Sequence, residues 1–169
     1  MSRTPALTLS PLRFTGEEIA GVVALYASNP AYGRASGEYD PEDVRADRIE
    51  AELREDAAAE ECEILLARDT EDRVVGIVSL LHKHPRNGHP WIGLLMVHGA
   101  HGRQGNGRAL AALVEDRYRA AGRSGIGLAV LENNPSALAF WTALGWKEVD
   151  RRPDVQYGRP CVVLHKALV

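Results

Sequence analysis

Two cysteines in 169 residues, Cys62 and Cys161, lie far apart and are too few for a disulfide framework. Such scarcity fits a reducing compartment. No apolar run approaches the ~20 residues of a membrane-crossing helix. The opening stretch Met1 to Ser10 lacks the apolar core of a secretory signal. Charge of one sign is also scarce. Twenty Lys and Arg against 23 Asp and Glu leave a net charge of -3, and no local basic patch stands out, which argues against nucleic acid as the main partner. Repeats and low-complexity segments are missing too. These absences point to a cytoplasmic globular protein, and its length fits one domain spanning 1–169 with a proper core.

Glycine, by contrast, is concentrated where it matters. The run V-H-G-A-H-G-R-Q-G-N-G-R-A-L, Val97 to Leu110, follows the apolar stretch Trp91 to Val97, and Leu110, Leu113, Val114 and Tyr118 recur beyond it at helical spacing. Gly102, Gly105 and Gly107 therefore lie between a strand and a helix. Glycine lets the backbone approach a ligand closely, and a first helical turn offers unpaired N–H groups and a partial positive charge. The expected occupant is a phosphate or diphosphate, and a bulky residue at Gly105 or Gly107 is expected to block it without unfolding the chain. A dinucleotide fingerprint would need a small residue where Leu110 stands, and a P-loop would need Lys-Ser/Thr where Arg108-Ala109 stand.

The remaining elements follow in order. Leu7 to Phe14 reads as a strand, with Pro11 marking an edge or a bulge. Thr15 to Glu18 is a capping box before a helix carrying Ile19, Val22, Val23 and Tyr26, which stops before Asn29-Pro30. Ala31 to Asp40 has no periodicity and reads as a loop. Pro41 is expected to open a second, highly charged helix with Val44, Ala46, Ile49 and Leu53 as a thin apolar side, giving a mobile helical hairpin. Cys62 to Arg68 and Arg73 to Leu81 form a hairpin across Asp69 to Asp72, and Asn87-Gly88 turns the chain into the Trp91 strand. After the helix ends near Gly122, Ile126 to Leu131 is a strand parallel to the Trp91 strand. Asn134-Pro135 starts a short helix stopped by Gly145; Trp146 to Arg152 and Cys161 to Val169 are the closing strands.

This order, with two local runs, resembles the GNAT superfamily of acyl-CoA N-acyltransferases. The first run is Q-G-N-G-R-A-L, Gln104 to Leu110, whose Gly105 and Gly107 match the small positions of the family's Gln/Arg-x-x-Gly-x-Gly/Ala signature; Gly102 holds its leading position. The second, N-N-P-S-A-L-A-F-W-T-A-L-G-W, is similar to Asn-x-x-Ala-x-x-Phe-Tyr-x-x-x-Gly-Phe, with Asn134, Ala137, Phe140, Gly145 and Trp146 in step and Trp141 in place of Tyr. The resemblance implies an α/β (α+β) fold: a mixed, mostly antiparallel sheet of about seven strands with a splayed parallel pair and about four helices. It implies acetyl-CoA as co-substrate. Gln104, Gly105, Asn106, Gly107 and Arg108 would hold the diphosphate through backbone amides, with charge from Arg103 or Arg108. Leu95, Met96 and Val97 would offer backbone groups to the pantetheine arm, and Phe140 and Trp141 would line the coenzyme side. Asn134 is either a pantetheine contact or a helix cap.

Acyl transfer to an amine needs a neutral amine, a polarised carbonyl and an exit for the thiolate. A backbone N–H of the Leu95 to Val97 edge is a candidate for polarisation. Glu132, after the next strand, is the first candidate base, acting through water. His89, with His82 and His84 in the same hairpin region, is the alternative because imidazole titrates near neutrality. The histidine spacing matches no zinc pattern, so no metal is expected. Trp141 cannot supply a proton as Tyr would, and is expected to be a packing residue. Glu38, Asp40, Glu42 and Asp43, with Tyr32 and Tyr39, lie where the resemblance places the acceptor cleft, and suggest a small-molecule primary amine attacking directly. A protein amine, an inactive acyl-CoA sensor or partner-binding module of the same fold, and an unrelated nucleotide-binding protein are the alternatives; homodimerisation is left open.

Overall fold

The computed structural model describes residues 4–101 and 105–169. Its elements are β1 (Thr8–Pro11), α1 (Gly16–Ala27), α2 (Pro30–Ser36), α3 (Ala46–Ala58), β2 (Cys62–Arg68), β3 (Val74–Leu81), β4 (Trp91–Val97), α4 (Asn106–Ala120), β5 (Gly125–Leu131), α5 (Pro135–Ala143), β6 (Lys147–Pro153) and β7 (Pro160–Ala167), with a 3₁₀ turn at Gly99–His101. The seven strands form one sheet in the order β1-β2-β3-β4-β5-β7-β6. Every neighbouring pair is antiparallel except β4–β5.

Helices cover both faces. Leu65, Ala67, Val78 and Leu80 pack with Leu110, Val114 and Trp141 of α4 and α5, while Ile64, Leu66, Ile77 and Met96 pack with Val22, Leu25, Ile49 and Leu53 of α1 and α3. Successive strand residues point to opposite faces, so the unbroken apolar run of β2 is what a strand buried on both sides requires.

The described residues form five α-helices where about four are expected, because Ala31 to Asp40 is not all loop. Pro30 opens α2 at its first turn, and Gly37 closes it in the left-handed region with its N–H on Gly33 O. Gly33, inside the segment expected to be a loop, has a packing reason: a Cβ there would stand 2.8 Å from the Tyr39 ring. Conversely, Pro41 does not open a helix. The Asp40 carboxylate accepts from Glu42 N–H, and Asp43 N–H bonds Asp40 O, so Pro41 sits in a turn and α3 starts only at Ala46.

The capping box forms in half. Thr15 Oγ1 accepts from Glu18 N–H at 3.2 Å, but the Glu18 carboxylate accepts from Arg13 N–H and from the Arg68 guanidinium on β2. That shift ties α1 to the sheet rather than to its own cap.

Candidate active site

β4 and β5 run parallel, yet they pair only at Trp91↔Gly127 and Ile92↔Leu128. The closed end is held by Gly127 N–H on Pro90 O at 2.9 Å and by the Trp91 ring, which would lie 2.7 Å from a Cβ on Gly127. Pairing stops where β4 carries an extra residue: Ser79 faces Leu94 and Leu80 faces Ile92, leaving Gly93 as a bulge. A bulge bends its strand and raises local twist, so β4 departs from β5 beyond it.

Which groups face the gap follows from the ladder on the other side. His98 N–H donates to Val75 O at 2.8 Å. In an antiparallel ladder alternate residue pairs exchange hydrogen bonds. The backbone groups of Met96 therefore turn to β3, and those of Leu95 and Val97 turn toward the splay. Met96, the middle one of the three expected residues, also turns its side chain into the core, 5% exposed. Val97 O is already taken by Asn29 Nδ2 at 2.9 Å. Leu95 thus presents both its N–H and its C=O to the splay, and Val97 its N–H.

At the mouth of the gap stands the N-terminus of α4. Gly105 is its N-cap, in the left-handed region at φ 84°, and no side chain among the described residues caps it. The first helical bond is Ala109 N–H to Gly105 O, so the N–H groups of Asn106, Gly107 and Arg108 have no acceptor within the helix. No acidic residue occupies the first turn. Unpaired N–H groups and the positive end of the helix dipole are what an anion site requires. Gly102, Arg103 and Gln104 lie outside the described residues. Gly107 has a second role that its spacing does not reveal: a Cβ there would stand 3.3 Å from Phe140 Cζ. A bulky residue at Gly107 therefore disturbs the α4–α5 contact as well as any ligand.

On α5, Asn134 Oδ1 accepts from Ala137 N–H at 3.2 Å, so the cap reading of Asn134 is realised. Phe140 and Trp141 meet edge to face at 4.9 Å, and Trp141 meets Trp146 at 5.1 Å. Trp141 is buried in the core, as a packing residue would be.

Glu132 follows β5 at the open end, where its N–H bonds Pro160 O and its carboxylate lies 3.6 Å from the Arg151 guanidinium. His89 is elsewhere. It precedes β4, whose seven residues, about 20 Å of strand, separate it from the glycine loop, and its ring lies 5.1 Å from His165. His82 and His84 share that far end: His82 bridges Tyr118 Oη and the Glu63 carboxylate, and His84 stacks on Trp91. The structure does not bring these histidines to the splay. Among the described residues no group of His, Cys, Asp and Glu forms a metal site.

Sequence reasoning missed the latch over the open end. Arg159, in the β6–β7 loop, donates to Ser36 O at 2.9 Å and pairs with Glu38 at 3.2 Å and with Asp154. Asn133 Nδ2 donates to Ala35 O at 2.9 Å, and Tyr32 Oη donates to Glu38 Oε2 at 3.1 Å. The end of α2 is thereby fastened to the ends of β5 and β7. No local pattern announces such contacts. Burial, with the Glu38 charge, pushes the phenols of Tyr26 and Tyr32 far above their ordinary range, and burial pushes Tyr39 up to about 12. Beside them Glu38, Tyr39, Asp40, Asp43, Arg45, Arg48, Ile49 and Glu52 line a cleft of about 260 Å³.

Residues 29–146 match the model of the acetyltransferase (GNAT) family. No curated protein matches the chain in sequence. Among solved structures, an acetyltransferase from Thermus thermophilus superposes with a TM-score of 0.75 at 20% identity, over 98% of both chains. A GCN5-related N-acetyltransferase from Kribbella flavida does so with a TM-score of 0.66 at 22% identity, over 96% of this chain and 98% of that one. Spermidine N-acetyltransferase from Vibrio cholerae, in complex with CoA and spermine, gives 0.71 at 16% identity over 96% and 95%.

Proposed function

The chain belongs to the acetyltransferase (GNAT) family and is an acyltransferase; from that premise we propose that it moves an acetyl group from acetyl-CoA to a primary amine of a small molecule by direct attack. The observation that carries the reading is the uncapped, glycine-started N-terminus of α4 at the mouth of the β4–β5 splay. The amides of Gly105 to Arg108 hold the diphosphate, and Arg108, exposed beside them, adds charge; Arg103 and Gln104 are proposed from the sequence alone. The arm lies in the splay as an added strand against Leu95, between the strand ends and the Phe140 side of α5, with Asn134 holding that helix in place.

The bound thioester supplies the acyl group and a thiolate as leaving group. Leu95 N–H, aimed into the splay, is placed to polarise the carbonyl oxygen. Three carboxylates stand at this end, and Asp154 is held by the Arg159 guanidinium. Glu38 is held by Tyr32 and Arg159 together, whereas Glu132 has one exposed partner at 3.6 Å, a pair that water easily separates. Glu132 is therefore the base, taking the ammonium proton through water. His89, at the far end of β4, has no part in this scheme. No side chain is assigned as acid, since a thiol of pKa about 8.5 leaves readily near neutrality.

A cationic acceptor is favoured by the cleft beside α2, where four carboxylates face two guanidinium groups. The Vibrio cholerae relative, named with spermine, is a precedent for a small amine in this fold. Cys62 and Cys161 are both free, which suits a reducing cytoplasm; no described helix is long and apolar enough to cross a membrane. The test is thioester consumption with acetyl-CoA across amino acids, polyamines, aminoglycosides and peptide N-termini. Turnover with a small amine is the expected result. Binding of CoA without turnover on any amine would leave a sensor, and turnover on peptides alone would move the acceptor to protein.

A further inference from the structure

Four polar or charged residues are buried among the described ones: Glu18, Ser36, Asn106 and Glu115. Three are bonded: Glu18 accepts from Arg13 N–H and from the Arg68 guanidinium, Ser36 accepts from Glu38 N–H, and Glu115 pairs with Lys166 and Arg119. Asn106 is the exception. It is 5% exposed, and its carboxamide has no hydrogen-bond partner among the described residues. Trp146 Nε1 is the only described side-chain nitrogen or oxygen that is both sealed from solvent and unpartnered. The little surface that Asn106 keeps therefore includes its polar end.

The direction of that amide follows from the helix. Asn106 and Leu110 stand one turn apart on the same face of α4, and Leu110 Cδ2 lies 3.1 Å from where a Cβ on Gly76 would be. Gly76 pairs with Val97 at the end of β4. Helical side chains lean toward the N-terminus, so the Asn106 amide stands between the first turn of α4 and the end of β4, at the mouth of the splay.

Its chemistry differs from that of the backbone beside it. A carboxamide offers an acceptor as well as two donors, whereas the N–H groups of the first turn only donate. A diphosphate only accepts, so those N–H groups suffice for it. Where the arm of coenzyme A leaves the diphosphate, its next polar groups are a hydroxyl and an amide, which donate as well as accept. We infer that the Asn106 side chain binds this first portion of the arm, accepting at Oδ1 and donating from Nδ2, and so separates coenzyme A from ligands that end at the diphosphate. This rests on the reading that the splay holds acyl-CoA.

A buried amide without a protein partner contributes no hydrogen bond to the ligand-free fold, so its removal breaks none. Asn106→Ala and the similarly shaped Asn106→Leu should keep the ligand-free Tm or raise it. Calorimetry should show the affinity for CoA falling about tenfold, the loss of one to two net hydrogen bonds. The affinity for 3′-phosphoadenosine 5′-diphosphate, which carries the diphosphate without the arm, should stay within about twofold. Unchanged CoA affinity in both variants would overturn the inference. An equal fall for both ligands would also overturn it, by putting the amide on the diphosphate, and so would a lower ligand-free Tm in both variants, by making the amide part of the fold. A wild-type protein that binds neither CoA nor the fragment would instead overturn the acyl-CoA reading beneath it.

Discussion

The Phe140 ring lies against the α-carbon of Gly107, leaving 3.3 Å between its Cζ and any Cβ placed there. This contact joins the two sequence runs that point to the family, one at the start of α4 and one on α5. Gly107→Ala should therefore be an overpacking change that costs about 1–3 kcal/mol. In a Phe140→Leu background the cost should shrink, which a double-mutant cycle by denaturant unfolding would read. Equal cost in both backgrounds would separate the two residues.

Because glycine changes at this turn disturb the fold, Arg108 gives the cleaner test of anion binding. It is exposed on the first turn of α4. Arg108→Glu places a negative charge where the helix dipole welcomes it, a gain of about 0.3–1 kcal/mol, while repelling a diphosphate. We expect Tm to hold or rise and CoA affinity by calorimetry to fall at least tenfold. A fall in both would mark the variant as unfolded, and a fall in neither would remove the diphosphate from this turn.

Trp141 sits between Phe140 and Trp146 in the core. Trp141→Phe should lower stability by about 1–3 kcal/mol and kcat by less than about tenfold, since a lost general acid costs about a hundredfold or more. The rate should show no descending limb between about pH 8 and 9, where an unassisted thiol leaving group has its ordinary pKa. Stopped assays over that range, in wild type and variant, would settle whether an acid operates.

The Arg159 latch predicts a split in kinetic effects. Arg159→Ala frees Ser36 O, Glu38 and Asp154 together, so the end of α2 loosens. We expect KM for the amine to rise about tenfold, with CoA affinity unchanged within twofold. A loss confined to CoA would place the latch on the wrong side of the splay.

His165 gives a pH dependence with a definite sign. Burial and then the His89 charge lower its imidazole pKa below the ordinary 6.5. The unfolded chain then binds the proton first, so stability is full above about pH 6.5 and declines as pH falls toward the folded value. His165→Asn should flatten that decline in chemical unfolding between about pH 7 and 5. The same slope in the variant would assign the decline to other groups.

Much of the scaffold is legible in order. β4 falls on the expected Trp91 to Val97, the Asp69 to Asp72 turn joins β2 and β3, and Gly122 and Gly145 end their helices in the left-handed region. These features depend on neighbours within a few residues, where periodicity and turn chemistry act. Gly33 shows the opposite case. It lies in a segment with no helical periodicity, and its place in α2 is explained by the Tyr39 ring that it accommodates.

The sequence by itself determined the alternation of elements, the glycine-started helix and the indole at Trp141, because each is set by local backbone freedom and side-chain chemistry. Only the tertiary structure decided which backbone groups of β4 face the splay. That choice depends on the ladder with β3 and on the bulge at Gly93, both set by pairing across the sheet. It also decided that Asn29 serves Val97 rather than its own helix, that Glu38 answers to Arg159, and that His89 stands a strand's length from Gly105. Such partners lie tens of residues away, and folding brings them together by burying both faces of one sheet.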